Sequence, residues 1–431
     1  MRIGISDICR FTAGSCQRGA PNRLMSTWMQ DADDFREDGK PRLSGRIHIL
    51  GLGNVGTFVA HSLMSRPSPP PVTLLLHNPK LYESWLDRKK CLSVNNNGLD
   101  DIKTGFDVNV LSGKTWHAFP YWDKEAGEER SDSREIETAL EEEAVEDDER
   151  IECLVVTVKA PVTALALESV SHRLTPDSTV LFLQNGLGVI DEINERVFPD
   201  PRRRPHYMYG IISHGLTRKK EAFQVAHVGV GTTILGPALS PEGLVSATGK
   251  EEQDGWAPST KYLLRTLTLS PQLVAVAETP SALMLYQLEK LAMNAVINPL
   301  TAIMDCENGE LLYNYSFTRI MRLLLMEISS VICALPELQG VPGIESRFSP
   351  ERLRSMVTRL ANKTSKNQSS MLQDVRAGKT TEIEYMNGYI VRRGEELGMK
   401  CVVNYMIKHL VLAKQQKGKQ RESAAIPVDL L

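Results

Sequence analysis

Arg46-Ile47-His48-Ile49-Leu50-Gly51-Leu52-Gly53-Asn54-Val55-Gly56 is the stretch that decides the fold. The short apolar run from Ile47 to Leu50 is β-type, and it passes at once into Gly-x-Gly-x-x-Gly. Val55, Phe58, Val59 and Leu63 then fall at helical spacing. Strand, glycine turn and helix in that order open a dinucleotide-binding unit. In such a unit Gly51 allows the tight turn, Gly53 lets backbone approach a pyrophosphate, and Gly56 lets the helix pack closely on the strand. The helix N-terminus presents free N–H groups and a positive dipole end to phosphates. A purely structural glycine turn would carry the same letters, and the flanking strand and helix favour the cofactor reading. The candidate cofactor residues are therefore Gly51, Leu52, Gly53, Asn54, Val55 and Gly56.

Outward from this turn the apolar runs continue. Pro67 to Pro71 forms a stiff linker. Val72 to Leu76 reads as a second buried strand ending at His77-Asn78, Cys153 to Val158 as another ending at Lys159, and Thr179 to Leu183 as a further one ending at Gln184-Asn185-Gly186. Fully apolar strands with helices between them indicate a parallel sheet covered on both faces. From Gly210 to Pro237 the pattern turns antiparallel, with Ile211 to His214 and Val225 to Leu235 as strands around Lys219-Lys220-Glu221, extending the sheet at one edge. From about Ser281 to about Gln415 the signal is helical. The expected fold class is α/β: an N-terminal Rossmann-type doubly wound sheet followed by an all-α C-terminal domain. The expected boundaries are 1–44 for a tail or presequence, 45–279 for the dinucleotide-binding domain with an acidic insertion at about 123–150, 280–415 for the helical substrate and catalytic domain, and 416–431 for a polar tail.

A chain of 431 residues with a formal net charge of −3 has no global field that would favour nucleic acid or a membrane surface. No run of about 18 apolar residues is long enough to span a bilayer. Seven scattered cysteines, with no Cys-x-x-Cys pair, fit a reducing compartment and give neither a zinc site nor a disulfide framework. Arg2, Arg10, Arg18 and Arg23 stand against the single acid Asp7 in the first 30 residues, which is presequence-like composition. Gly14, Gly19 and Pro21 interrupt helical amphipathicity there, so mitochondrial and cytoplasmic locations both stand. The acidic run at 123–149 reads as a solvated surface insertion or as a docking segment for a basic partner, the former being favoured.

The end of the second strand bears on the cofactor. NAD enzymes place Asp or Glu about 20 residues beyond the glycine turn to accept from the ribose hydroxyls. Here His77-Asn78 occupies that point, and Lys80, Arg88, Lys89 and Lys90 follow, so NADP(H) is the expected cofactor. Chemistry is concentrated in Leu288-Glu289-Lys290-Leu291-Ala292-Met293-Asn294-Ala295-Val296-Ile297-Asn298-Pro299. Lys290, Asn294 and Asn298 are spaced i, i+4, i+8 and form one polar stripe on an otherwise apolar helix, which makes sense if the stripe lines a cleft. A snorkelling lysine and two capping-type asparagines are the alternative. Pro299 removes a helical N–H and frees a carbonyl one turn back. Beside the carbonyl of a 2-oxo acid, a lysine ammonium would stabilise the developing oxyanion and donate the proton, and burial would bring its pKa toward the working range. Downstream, Gly378 is a natural helix stop. Thr381-x-x-Glu384 has the form of a capping box, with Glu382 in the first turn of the next helix as a fixed acceptor or as a mere first-turn charge.

Taken together, these segments resemble the ketopantoate reductase family from about Arg46 to about Lys414. The matching motifs are Gly51 to Gly56, Val158-Lys159-Ala160, Gln184-Asn185-Gly186-Leu187-Gly188, Lys290 to Ala302, Asn308-Gly309-Glu310 and Ser369 to Gly388. The resemblance implies NADPH-dependent reduction of 2-dehydropantoate (ketopantoate) to (R)-pantoate in pantothenate biosynthesis. It implies Lys290 as the general acid and Glu382 as the acid that holds the substrate and aids catalysis. It further implies Asn185, Asn294, Asn298, Asn308 and Ser370 as substrate contacts, with His77, Lys159 and Asn185 at the cofactor and no metal. The implied partner is a small-molecule 2-oxo acid; a homodimer is compatible with the sequence, which does not fix the oligomeric state. The family commonly has Arg where His77 stands. The tail, the acidic insertion and the loop at 238–258 exceed a compact bacterial-type member and argue for a eukaryotic one. Two other expectations compete: a reductase of another branched 2-oxo acid, and a non-catalytic dinucleotide-binding paralogue with a broken site.

Overall fold

The computed structural model describes residues 43–121, 145–239 and 256–424, and the described residues from Gly45 onward form one compact unit. The N-terminal tail, nearly all of the acidic insertion, most of the 238–258 loop and residues 425–431 lie outside the described residues.

The chain opens with β1 (Ile47–Leu50), which runs into the glycine turn and α1 (Asn54–Met64). Next come β2 (Val72–Leu76) and α2 (Pro79–Asp87), the latter opened by Pro79 and by Asn78, whose side chain accepts from the Leu81 N–H at 2.9 Å. Two hairpins follow: β3 (Leu92–Asn96) with β4 (Leu99–Lys103), and β5 (Asp107–Ser112) with β6 (Thr115–Phe119). Beyond them lie β7 (Val145–Glu146), β8 (Cys153–Val156), α3 (Thr163–Glu168), β9 (Thr179–Phe182), α4 (Val189–Arg196) and β10 (His206–Ile212). The sheet-bearing part closes with β11 (Gly215–Arg218), β12 (Gln224–Gly229), β13 (Thr233–Pro237), α5 (Pro258–Thr268) and β14 (Ala275–Ala277).

Among the described residues the strands form a ten-stranded sheet in the order β14-β13-β10-β9-β8-β1-β2-β5-β6-β7 and a four-stranded sheet in the order β11-β12-β3-β4. The neighbours β10, β9, β8, β1, β2 and β5 run parallel. Strands β1, β2, β8 and β9 are buried along their whole length, as their largely apolar sequences predict, with His48, Thr73 and Thr179 the buried polar exceptions. The chain travels from β1 through β2 to β5 on one side, then returns to β8 and continues to β10 on the other. The order therefore reverses between β1 and β8, and the crevice outside their carboxyl ends is where an open α/β sheet binds ligands.

One strand expectation is corrected. The run from Val225 to Leu235 is not continuous: β12 ends at Gly229 and pairs with β3 in the smaller sheet, whereas β13 begins at Thr233 and pairs antiparallel with β10 in the larger one. Gly231 marks the break, because a Cβ there would meet the Ser213 carbonyl at 2.4 Å.

The helical part consists of α6 (Pro280–Met304), α7 (Tyr315–Ala334), α8 (Ile344–Arg347), α9 (Pro350–Lys363), α10 (Ser370–Arg376), α11 (Asn387–Glu396) and α12 (Val402–Ala424). Helix α12 continues nine residues past Gln415, to Ala424. Helix α6 is the hub, packed by α7, α9, α10 and α12. It passes through Pro299, which removes the N–H that would have bonded the Ala295 carbonyl. That freed carbonyl accepts instead from the fully buried Asn387 side chain, at 2.9 Å. Asn387→Leu should strip this acceptor of its donor while keeping the volume. The expected cost is about 1–3 kcal/mol, readable as a lowered midpoint in urea unfolding; an unchanged midpoint would remove Asn387 from the account.

Candidate active site

The glycine turn meets its steric demands residue by residue. Gly51 adopts φ +100°, and a Cβ there would lie 2.6 Å from Val158 Cγ1. A Cβ on Gly56 would sit 1.9 Å from the Gly51 carbonyl oxygen. At Gly53 a Cβ would meet no atom within 4 Å, so that face of the turn is open. Helix α1 begins at the next residue, and no side chain caps its first N–H groups. An open backbone face followed by uncapped helical N–H groups suits a phosphate. The Leu52 carbonyl accepts from the Thr57 hydroxyl at 3.4 Å, and Asn54 donates to the Leu216 carbonyl at 3.3 Å, which ties the turn to β11. Val55 lies in the first turn of α1. His77 is exposed just beyond β2, and the next side chain, Asn78, is spent on capping α2, so no carboxylate stands at this strand end. Lys80 is exposed in the first turn of α2, while Arg88 is ion-paired with Glu221.

Lys159, just past β8, forms an ion pair with Asp374 on α10. The N–H of Ala160 donates to Glu382 Oε1 at 3.3 Å, and Asn185, just past β9, donates from Nδ2 to Glu382 Oε2 at 3.3 Å. Burial pushes the Glu382 carboxyl above its ordinary range, against the hydrogen bonds from Ala160 and Asn185 and the charge of Lys159. A close approach of backbone sets this geometry. Gly186 has φ +87°, and a Cβ there would lie 2.5 Å from Tyr385 Cβ; the adjacent Leu187 N–H donates to the Tyr385 carbonyl at 2.9 Å. The loop after β9 is thus docked onto the turn that bears Glu382.

Lys290 reaches from α6 to the end of β10, where its ammonium donates to the Ile212 carbonyl at 3.1 Å. Burial lowers its pKa to about 8, and the charge of Glu382 works in the opposite direction. A cavity of about 20 Å³ lies against it, lined by Lys290 and Asn294 of α6 together with Gln184, Asn185, Gly210 and Gln287. That is room for about one water, so admitting a small acid requires the crevice to open.

Of the expected residues, the structure gathers Lys290, Asn294 and Asn185 around this cavity, with Glu382 hydrogen-bonded to Asn185. Asn298 does not line it: it is buried, and its amide donates to the Met386 sulfur at 3.7 Å. Asn308 is bonded to the Thr364 hydroxyl at 2.9 Å, and Ser370 is an exposed first residue of α10; neither lines the cavity.

The helix stop at Gly378 is a Schellman closure, with φ +63° and bonds from the Lys379 N–H to the Asp374 carbonyl and from the Gly378 N–H to the Val375 carbonyl. The capping box is a correction. Thr381 Oγ1 is buried without a partner among the described residues, Glu384 pairs with Lys408 at 3.2 Å, and Glu382 precedes a single 3₁₀ turn, Ile383–Tyr385; α11 begins only at Asn387. Glu382 is therefore held by the loops after β8 and β9, with no helix dipole needed. Asp374, Gln184 and Gln287 were not singled out from sequence. Asp374 and Gln184 lie inside motifs that were, but nothing in their spacing shows what they face.

Comparison with known proteins agrees with this arrangement. Residues 47–240 match the family model described as ketopantoate reductase PanE/ApbA, and residues 282–415 match its C-terminal counterpart. The 2-dehydropantoate 2-reductase of Vibrio cholerae is 32% identical over 263 residues, covering 61% of this chain and 77% of that protein. The chain belongs to the ketopantoate reductase family. A probable 2-dehydropantoate 2-reductase of Schizosaccharomyces pombe is 27% identical over 383 residues, covering 88% of this chain and 98% of the relative. The ketoisovalerate reductase of Gibberella fujikuroi is 26% identical over 379 residues, covering 80% and 77%. The fold matches the solved PanE/ApbA family ketopantoate reductase of Ralstonia eutropha with a TM-score of 0.60 at 19% identity, covering 87% of this chain and 99% of that one.

Proposed function

We infer that the protein reduces ketopantoate to (R)-pantoate with NADPH. The observation that carries this reading is the enclosed Lys290 ammonium, with its pKa lowered to about 8, facing Asn185 and Asn294 across one cavity at the carboxyl edge of the sheet. A bound nicotinamide would supply the hydride. The open face at Gly53 and the uncapped start of α1 fit its pyrophosphate, and the positions of Lys159 and Asn185 just past the ends of β8 and β9 support their contact with the nicotinamide. As negative charge develops on the ketone oxygen, Lys290 stabilises it and gives it a proton. Glu382, held by Ala160 and Asn185, is poised as an acceptor for a substrate hydroxyl. The polar end of β2, His77-Asn78, has no acid to repel a 2′-phosphate, and the exposed Lys80 nearby supports NADPH over NADH.

The similarity to a ketoisovalerate reductase favours a second reading, reduction of that smaller 2-oxo acid. Initial rates of NADPH and NADH oxidation by the full chain, with ketopantoate and with ketoisovalerate, separate the two. Higher kcat/KM for ketopantoate with NADPH is expected. Equal or higher kcat/KM for ketoisovalerate would overturn the substrate assignment, and preference for NADH would overturn the cofactor assignment.

A further inference from the structure

The carbonyl that holds Lys290 is left free by the sheet on one side and aimed by it from the other. Strand β10 pairs with β9 as far as Tyr209, opposite Phe182, where β9 ends. The last residue of β10, Ile212, therefore has no strand beside it there among the described residues, and its carbonyl is open to the Lys290 ammonium at 3.1 Å. On its other side β10 pairs with β13 up to Ile212 and Thr233. One residue further, the Ser213 N–H donates to the Thr232 carbonyl at 3.0 Å. The Ile212 carbonyl and the Ser213 N–H belong to one peptide unit, and in a planar trans unit they point to opposite sides. Holding the N–H on Thr232 thus directs the carbonyl away from β13, to the side where the loop after β9 lines the cavity with Lys290.

Further contacts keep this unit in place. The Ser213 hydroxyl accepts from the Thr232 N–H at 2.8 Å and donates to the Thr232 carbonyl at 3.0 Å, with the Thr232 hydroxyl a second acceptor at 3.3 Å. Gly231 lets the two chains come this close, since a Cβ there would lie 2.4 Å from the Ser213 carbonyl. The His214 ring closes the far end. Burial lowers the pKa of His214 and of its neighbour His227, so both rings are neutral in the alkaline range. The Leu273 carbonyl only accepts, so His214 Nε2, 2.9 Å away, carries the hydrogen. Its Nδ1 is then bare and accepts from the Gly231 N–H at 3.2 Å and from His227 Nε2 at 3.0 Å.

We propose that this clamp positions the general acid: by aiming the Ile212 carbonyl, Ser213, Gly231 and His214 hold the Lys290 ammonium at the cavity with one N–H taken and the others free for the ketone oxygen. This rests on the reading of Lys290 as the proton donor. It deepens that reading by naming positioning residues, none of which lines the cavity. An acceptor favours the charged form of its donor. The carbonyl therefore works in the same direction as Glu382, the charged group that bears on Lys290, and against burial. Turning the carbonyl aside lowers the lysine pKa, so the ammonium is lost at a lower pH.

The test is the pH profile of single-turnover NADPH oxidation with saturating ketopantoate in the wild type, Gly231→Ala, Ser213→Ala and Ser213→Thr. Gly231→Ala drives the two chains apart, and losing a hydrogen bond to a charged group shifts a pKa by about one unit. Its alkaline fall should begin about one pH unit lower than in the wild type, making its rate about tenfold lower well above that point, beyond any loss at neutral pH. Ser213 is exposed, so Ser213→Ala should fold as the wild type does and move the fall in the same direction by less. Ser213→Thr keeps the hydroxyl and should restore the wild-type profile. A fall that stays in place in Gly231→Ala and Ser213→Ala, whether the rate is kept or lowered evenly at every pH, would give the clamp a purely structural role and overturn the proposal. Should Gly231→Ala fold poorly, Ser213→Ala with its Ser213→Thr control decides alone. The wild type separates the two levels: a rate that stays level up to about pH 10 would sink Lys290 as the donor, whereas a wild-type fall that Ser213→Ala leaves unmoved would sink only the clamp.

Discussion

Lys290→Ala is expected to lower kcat for ketopantoate reduction by about 10²-fold or more, the usual contribution of a positioned general acid, while leaving the affinity for NADPH close to wild type. The expectation follows from how the ammonium is held. It touches the Ile212 carbonyl and the cavity beside Asn185 and Asn294, and burial has already lowered its pKa to about 8. Removing a desolvated charge from an enclosed site relieves a cost of folding, so loss of turnover is expected without loss of stability. Thermal unfolding of the variant should show a Tm equal to or above that of the wild type. A variant that keeps its rate would remove Lys290 from the chemistry; one that loses rate and Tm together would give the lysine a structural role.

The second large effect lies in the glycine turn, where two alanine substitutions should behave in opposite ways. At Gly56 a Cβ would fall 1.9 Å from the Gly51 carbonyl oxygen and 2.5 Å from Thr157 Oγ1, so β1 and α1 must move apart. Gly56→Ala should cost about 1–3 kcal/mol or more and depress Tm together with NADPH binding. At Gly53 the backbone is extended (φ −76°, ψ −163°), which alanine tolerates, and its Cβ would meet no protein atom within 4 Å. Gly53→Ala should keep Tm while raising the Kd for NADPH about tenfold or more, since the methyl would stand where the pyrophosphate must approach. Calorimetric titration and thermal melts on both variants check the pair. NADPH binding by Gly53→Ala at wild-type strength would show that the open face is not the phosphate seat.

How far the sequence could be read depended on whether a feature is local. The turn at Gly51 to Gly56, the buried strands and the polar stripe on α6 are patterns within a few residues, and each was legible. The β3–β4 hairpin was missed although its turn carries a signal: Asn97 and Gly98 have φ of 51° and 89°, as a two-residue hairpin turn requires. It was hidden because β4, Leu99-Asp100-Asp101-Ile102-Lys103, is mostly exposed and lacks apolar alternation. The capping box was misread because Thr381-x-x-Glu384 is a local pattern overruled by distant partners. Lys408 takes Glu384, and the loops after β8 and β9 take Glu382. Asn387 meets Ala295 across 92 residues and Lys159 meets Asp374 across 215, separations at which no spacing rule operates. Asn298 shows the limit of periodicity: the i, i+4, i+8 stripe is real, but the cavity ends after its second member.

The most direct test is the pH dependence of the chemical step, measured by single-turnover NADPH oxidation with saturating ketopantoate. Only the ammonium form of Lys290 can donate a proton, and burial sets its loss at about pH 8. The rate should therefore hold on the acid side of that point and fall about tenfold per pH unit well above it. A rate that stays level up to about pH 10, where an ordinary exposed lysine titrates, would contradict a buried Lys290 as the proton donor.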